Sequence, residues 1–240
     1  MKHGSFSYHY YSNLLGVFAS NGYSFNFFTD TECKRSVFLR HDVDIDIFSC
    51  ETLSVVEKDA GAKSTWFFQP NNDLYNMLSD RSVQIINTCY ANGGQIGLHI
   101  DGKQFRNTEE AIVRIKEMFD FYSCFIPLSP VFSFHRPIGN DFNISICGYV
   151  NAYDPRFFSD ITYVSDSNRR EFWKEQGLAE AIAENRSVCL LTHPLWWKNE
   201  ELSDNRIIEY VEESVVQQLA LPALKKNIKR FAKIDAELEC

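Results

Sequence analysis

Residues 38–48, FLRHDVDIDIF, decide the fold. Phe38 and Leu39 read as the end of a buried strand, and Asp42, Asp44 and Asp46 follow at once. Parallel β/α folds gather their working residues just past the C-terminal ends of strands. An apolar run that breaks directly into ionisable residues therefore reads as such a strand end. Three carboxylates packed this closely repel one another, so the segment calls for a cation.

The same pattern recurs along the chain. GLHID (97–101), SFHRP (133–137), YVSDS (163–167) and LLTHP (190–194) each run from a strand-like stretch into His, Asp or Arg. Helical or strand-like segments fill the intervals: Tyr8–Ser20 (helix), Phe48–Ala60 (helix, ending at Gly61), Ser64–Phe68 (strand), Asp73–Ser79 and Val83–Asn92 (helices). They continue with a helix from Asn107 or Thr108 to Phe121, strands at Val131–Phe134, Ile144–Val150 and Ile161–Val164, a helix at Leu178–Ala183 and a strand at Ser187–Leu191. About seven alternating units favour a parallel sheet and a small β/α barrel over an open sheet. No stretch reads as a linker, so residues 1–240 form one expected domain. Residues 1–35 are a helical N-terminal extension, and 204–240 a helical tail kinked at Pro222. Ile207, Ile208, Tyr210, Val211 and Val215 give that tail one apolar face, for packing on the barrel or for a dimer contact.

Composition excludes several classes. Hydrophobic residues make up 45% and aromatic residues 15%, enough for a large core. The net charge of −8 and the lack of a basic block, apart from the short KKNIKR near the end, argue against nucleic-acid binding. No apolar run is long enough to span a membrane. MKHGSFSYHYYSN lacks the apolar core of a secretory signal, and the seven cysteines form no CxxC pair. Both features lead to the expectation of a cytoplasmic protein with free thiols.

Asp42 and Asp44 face the same side of a strand, about 6.5–7 Å apart along it. A divalent cation would relieve their repulsion, and carboxylate mixed with imidazole suits zinc and related metals. One acid can then bind the ion while the other accepts a proton from a water acidified to a pKa of roughly 7. An EF-hand loop is excluded, because its Gly at position six and Glu at position twelve are missing. His193 ends an apolar strand and is followed by Pro194, Trp196 and Trp197, so it suits a general acid beside flat walls for a sugar ring.

Residues 36–197 resemble the polysaccharide deacetylases of the NodB-homology type, carbohydrate esterase family 4, most strongly in LRHDVD and LLTHP and also in KSTWFF. The likeness is greatest to the HDVD-bearing branch associated with O-antigen and capsule biosynthesis. The resemblance implies a distorted (β/α)7 barrel and metal-dependent removal of an N- or O-acetyl group from a sugar, with zinc as the foremost metal. It further implies Asp42 as base, Asp44 and His99 as metal ligands, Arg136 orienting Asp42, and Asp166 pairing with His193 as general acid. Trp173, Trp196 and Trp197, with Phe68, would border a sugar site. One departure stands out. The family's second metal His falls on Lys103, whose ammonium has no lone pair to give. Asp101 is the first candidate to replace it and His135 the second, while His41 is expected to face away. The expected partner is a sugar nucleotide, lipid-linked sugar or glycan. The alternatives are an amidohydrolase on a non-sugar amide and a metal-free carbohydrate-binding relative.

Overall fold

Strand β2 (Ser36–Val43) is buried along its whole length in the computed structural model of the chain, which describes residues 5–30, 34–138, 144–170, 177–215 and 217–218. Burial on both faces is the signature of a central strand in a parallel sheet. Its neighbours are β3 (Ser64–Phe68) and β8 (Val188–Thr192), with Arg40 opposite Thr65 on one side and Leu191 on the other. The remaining strands are β1 (Ser24–Phe25), β4 (Gln95–Asp101), β5 (Leu128–Arg136), β6 (Val150–Asn151) and β7 (Thr162–Ser165). All pairings are parallel, in the order β6-β5-β4-β3-β2-β8-β7, with β1 flanking the start of β2.

Helices α1 (Tyr8–Ser20), α2 (Ser49–Asp59), α3 (Asp80–Ala91), α4 (Thr108–Tyr122), α5 (Pro155–Phe158) and α6 (Leu178–Ala183) alternate with the strands. Polar side chains start most of them. Ser7, Ser79 and Asn107 accept from the amides of Tyr10, Ser82 and Glu110, replacing bonds a first turn lacks. Gly61, at φ +65°, takes the left-handed turn that ends α2.

The seven-strand path curls. Phe38 of β2, Phe67 of β3, Val131 of β5 and Cys189 of β8 share one buried cluster with Phe28, Ala152 and Phe157. Val150 of β6 and Tyr163 of β7, at opposite ends of the sheet, pack on that cluster. The architecture is thus of the α/β barrel type expected from the alternating units, curled as a half-barrel, since among the described residues no hydrogen-bonded ladder joins β6 to β7. Gly97 permits the inner packing, because a Cβ there would lie 2.6 Å from the Val131 carbonyl and 2.9 Å from the Phe67 ring.

Two expected elements differ. Residues 73–79 form turns rather than a helix. The Asn72 side chain takes the amides of Leu74 and Tyr75, Asn76 takes that of Leu78, and the Tyr75 hydroxyl donates to the Val43 carbonyl. Such side-chain bonds compete with helical ones. Of the expected strand at 144–150, only Val150 joins the sheet, with Asn151 after it, because Gly148 at φ +87° turns the chain back so that Ile146 bridges Tyr149.

The chain divides into two compact units, Met1–Glu201 and Leu202–Cys240. The second contains helix α7 (Asp204–Tyr210), capped by Ser203, and a π-helical turn at Val211–Val215. Residues 219–240, including Pro222, lie outside the described residues. Among the described residues no helix is long and apolar enough to cross a membrane, and Cys50, Cys89, Cys124, Cys147 and Cys189 are free thiols.

On the helix side of β2, a buried network ties five elements together. Glu57 of α2 accepts from the Tyr11 hydroxyl, His41 Nε2 and the Ser64 hydroxyl, each at 2.6 Å, and His41 Nδ1 lies 2.5 Å from the Thr192 hydroxyl. His41 also stacks on Trp66 at 3.8 Å, so it faces away from the acids, as alternation predicts. Glu57→Ala is expected to destabilise the fold by about 3–5 kcal/mol, because it strands three buried polar partners. Urea denaturation followed by circular dichroism measures this; a loss under 1 kcal/mol, the scale of a surface pair, would contradict it.

Candidate active site

Alternation along β2 sends Arg40, Asp42 and Asp44 towards the inside of the curl, and each of the three acids of DVDID meets a different partner. Asp42 is gripped by Arg40, two residues back on the same strand. Nε donates to Oδ1 and a terminal nitrogen to Oδ2, both at 2.8 Å. Burial pushes the Asp42 carboxyl up, but the Arg40 guanidinium, aided by His99, more than reverses this and holds it below the usual carboxylate range. Asp46 caps the amides of Phe48 and Ser49 and binds the Lys198 ammonium at 2.9 Å. The same ammonium donates to the Leu195 carbonyl at 2.9 Å and reaches those of Pro194 and Trp197 at 3.2 Å, which pins the segment leaving β8.

Among the described residues no Lys or Arg pairs with Asp44. Its Oδ1 lies 3.2 Å from His99 Nε2, 3.2 Å from His135 Nδ1, and accepts from the Gln69 amide at 2.6 Å. Burial again acts to raise this acid, and the hydrogen bonds from His135 and His99 hold it far below its ordinary range. Asp44, His99 and His135 place their ligand atoms within 4.8 Å of one another. His99 Nδ1 is 2.6 Å from the Ser133 hydroxyl, its register partner on β5. That bond occupies one ring nitrogen and turns the other inward, as imidazole ligands require. An Asp and two imidazoles with an open side are a donor set that fits zinc or a similar ion.

His193, at the end of β8, closes the other wall. Its Nδ1 is 2.6 Å from Asp166 Oδ1, and its Nε2 is 3.6 Å from Asp44 Oδ2. Asp166, wholly buried after β7, also accepts from the His193 amide and from Trp197 Nε1 at 2.9 Å. Just beyond it, Asn168 and Arg169 adopt left-handed backbone (φ +59° and +56°), a strained turn of the kind found where a fold over-determines a site. Burial pulls the His193 imidazole down, but the carboxylate of Asp166 pushes it further up, to about 9. The metal-free protein is thus expected to hold His193 protonated at neutral pH. Its stabilising contribution is fully present below about pH 6.5, the ordinary His value, and is lost as pH rises through about 9. Asp166→Asn should lower the His193 midpoint, and an NMR titration of the ring with no fall on that substitution would refute the pairing.

The sequence expectations sort unevenly. Asp42, Asp44, His99, His135 and His193 converge, and Asp166 backs His193. Arg136 does not reach Asp42; it is half exposed and forms a bidentate pair with Asp101. Asp101, tied to Arg136, is not a member of the Asp44–His99–His135 group. A register shift between Ile100 and Asp101 brings Arg136 beside Asp101, while Val131, Ser133 and His135 keep the inward phase of β5. Trp197 is not a pocket wall, because it is buried against Phe6 and Tyr11. Trp196 does line a pocket, with Asp42, Asp44, Ile45, Asp46, His193, Pro194 and Leu195. Its volume of about 50 Å³ has room for a few waters or a short acyl group. Trp173 lies outside the described residues. Sequence reading passed over Arg40, Ser133, Gln69 and Lys198. Alternation from Asp42 already placed Arg40 on the inner face, whereas Lys198 carried no local signal.

Comparison of the sequence with protein-family models and with curated proteins finds no match. Among solved structures, the chain is similar to the chitin deacetylase of the fungal pathogen Colletotrichum lindemuthianum, at 15% identity and TM-score 0.44, covering 75% of this chain and 81% of that one. It is also similar to a family 4 carbohydrate esterase from Bacillus anthracis, at 13% identity and TM-score 0.42, covering 86% of each chain. A third similarity is to a CE4 family pseudoenzyme from Bacillus anthracis, at 12% identity and TM-score 0.41. The match covers 76% of this chain and spans 60% of the length of that pseudoenzyme.

Proposed function

We propose that the protein is a metal-dependent hydrolase that removes a short acyl group, acetyl foremost, from an amine or hydroxyl of a sugar. One observation carries this reading: the Asp44–His99–His135 triad sits between a buried carboxylate, Asp42, and the carboxylate-backed imidazole of His193. Asp44, His99 and His135 would hold the ion, zinc being the best fit, and when bound it would polarise an acyl carbonyl and acidify a water. Asp42, kept ionised by Arg40, accepts the proton of the attacking water. His193 presents Nε2 to the leaving amine or alcohol and gives it a proton. Asp166 holds the ring from behind, so that its Nδ1 proton stays on the carboxylate side. Lys198 fixes the segment that carries Leu195 and Trp196, which with Pro194 provide an apolar wall for the acyl methyl.

The test is acetate release from chito-oligosaccharides and from simple acetamides, using chelated protein and protein resupplied with zinc, cobalt or manganese. Zinc- or cobalt-dependent release from the sugars supports the proposal. Release from acetamides alone favours a non-sugar amidohydrolase. A place in surface-polysaccharide synthesis follows as a proposal from the sequence resemblance, and a reducing, cytoplasmic site of action as a proposal from the free thiols among the described residues.

A further inference from the structure

Asp42 and Asp44 leave the same face of β2 and both approach one imidazole nitrogen. Asp42 Oδ2 lies 3.5 Å from His99 Nε2, and Asp44 Oδ1 lies 3.2 Å from it. Carboxylate chemistry alone does not decide which acid ligates an ion there and which stays free to take a proton. We propose that Arg40 makes this assignment: its two-pronged grip on Asp42 holds that carboxylate off the ion and reserves it as the base. The inference rests on the metal reading above.

Four observations support it. Arg40 occupies both Asp42 oxygens at 2.8 Å, whereas among the described residues Asp44 receives no guanidinium or ammonium. Arg40 is wholly buried and its guanidinium lies 4.4 Å from the Tyr153 ring centre and 5.5 Å from that of Phe67, a packed slot that leaves it little freedom. Its second terminal nitrogen is buried with no hydrogen-bond partner among the described residues. A buried unpaired donor costs stability, so the side chain is held there at the expense of one bond in order to make the other two. Finally, Arg136 is committed to Asp101, at the C-terminal ends of β5 and β4. Planar bidentate geometry is what Arg offers and Lys does not.

If the grip is released, Asp42 is near enough to join the ligand set, which changes the coordination of the ion. Cobalt reports that change in its visible absorption, independently of turnover. Chelator-stripped protein would be titrated with cobalt chloride as wild type, Arg40→Lys, Arg40→Met and Arg40→Met/Asp42→Ala, with folding checked by circular dichroism. The expected result is an altered cobalt spectrum and affinity raised by about tenfold in Arg40→Met, on the scale that changes around a metal site produce. Arg40→Lys should give a smaller change, and the double variant should return to the wild-type spectrum. A folded Arg40→Met protein with an unchanged spectrum overturns the proposal. Should the Arg40 variants not fold, a crystal structure of the zinc-loaded wild type decides. Asp42 still clasped by Arg40 supports the assignment, and an Asp42 oxygen bonded to the ion at about 2.0–2.2 Å overturns it. Wild type that binds no cobalt or zinc overturns the metal reading itself, an outcome distinct from metal bound with unchanged spectra.

Discussion

Asp44→Ala is expected to abolish stoichiometric zinc binding and, with it, turnover. Asp44 is the carboxylate on which both imidazoles of the triad converge, each at 3.2 Å. Without it, two imidazoles at the edge of an apolar curl remain, and His135 is partly exposed. The loss should exceed the roughly 10–100-fold that removing an outer partner of a metal ligand costs. Elemental analysis after dialysis at limiting zinc reads the result directly. Zinc retained at one equivalent would remove Asp44 from the ligand set and shift attention to Asp42.

Asp42→Asn should separate chemistry from binding. The amide keeps the size of the side chain but no longer accepts a proton usefully, so turnover should fall by about 10²–10⁴ while saturating zinc still fills the site. The substitution also leaves the buried Arg40 guanidinium without its anion, which should lower stability by about 3–5 kcal/mol. Turnover and thermal unfolding must therefore be measured on the same preparation, below the lowered midpoint. Full activity in folded Asp42→Asn protein would exclude Asp42 as the base.

Much of this site was legible because strand ends announce themselves locally. The run from apolar residues into charge at Asp42, His99, His135, Asp166 and His193 placed all five without any contact information. The error at Arg136 is instructive. With Arg136 turned towards the base, simple alternation would face His135 away, while Asp101 would share the face of His99 if the strand continued. The structure keeps 131, 133 and 135 on one side of the strand and slips the register only at Asp101. Trp197 misled in another way. A tryptophan soon after a strand-end His suggests a sugar platform, yet its indole nitrogen serves Asp166 from inside the core.

By itself, the sequence determined the alternation of strands and helices, the inward phase of β2 and the chemical character of each strand end, because these depend on residues two to five positions apart. Only the tertiary structure decided which partner serves which acid: Arg40 for Asp42, Lys198 for Asp46, and the His99–His135 pair for Asp44. Lys198 lies 152 residues from Asp46. No short-range pattern encodes that pairing, because it arises from how far the sheet curls and which segments it brings to one rim.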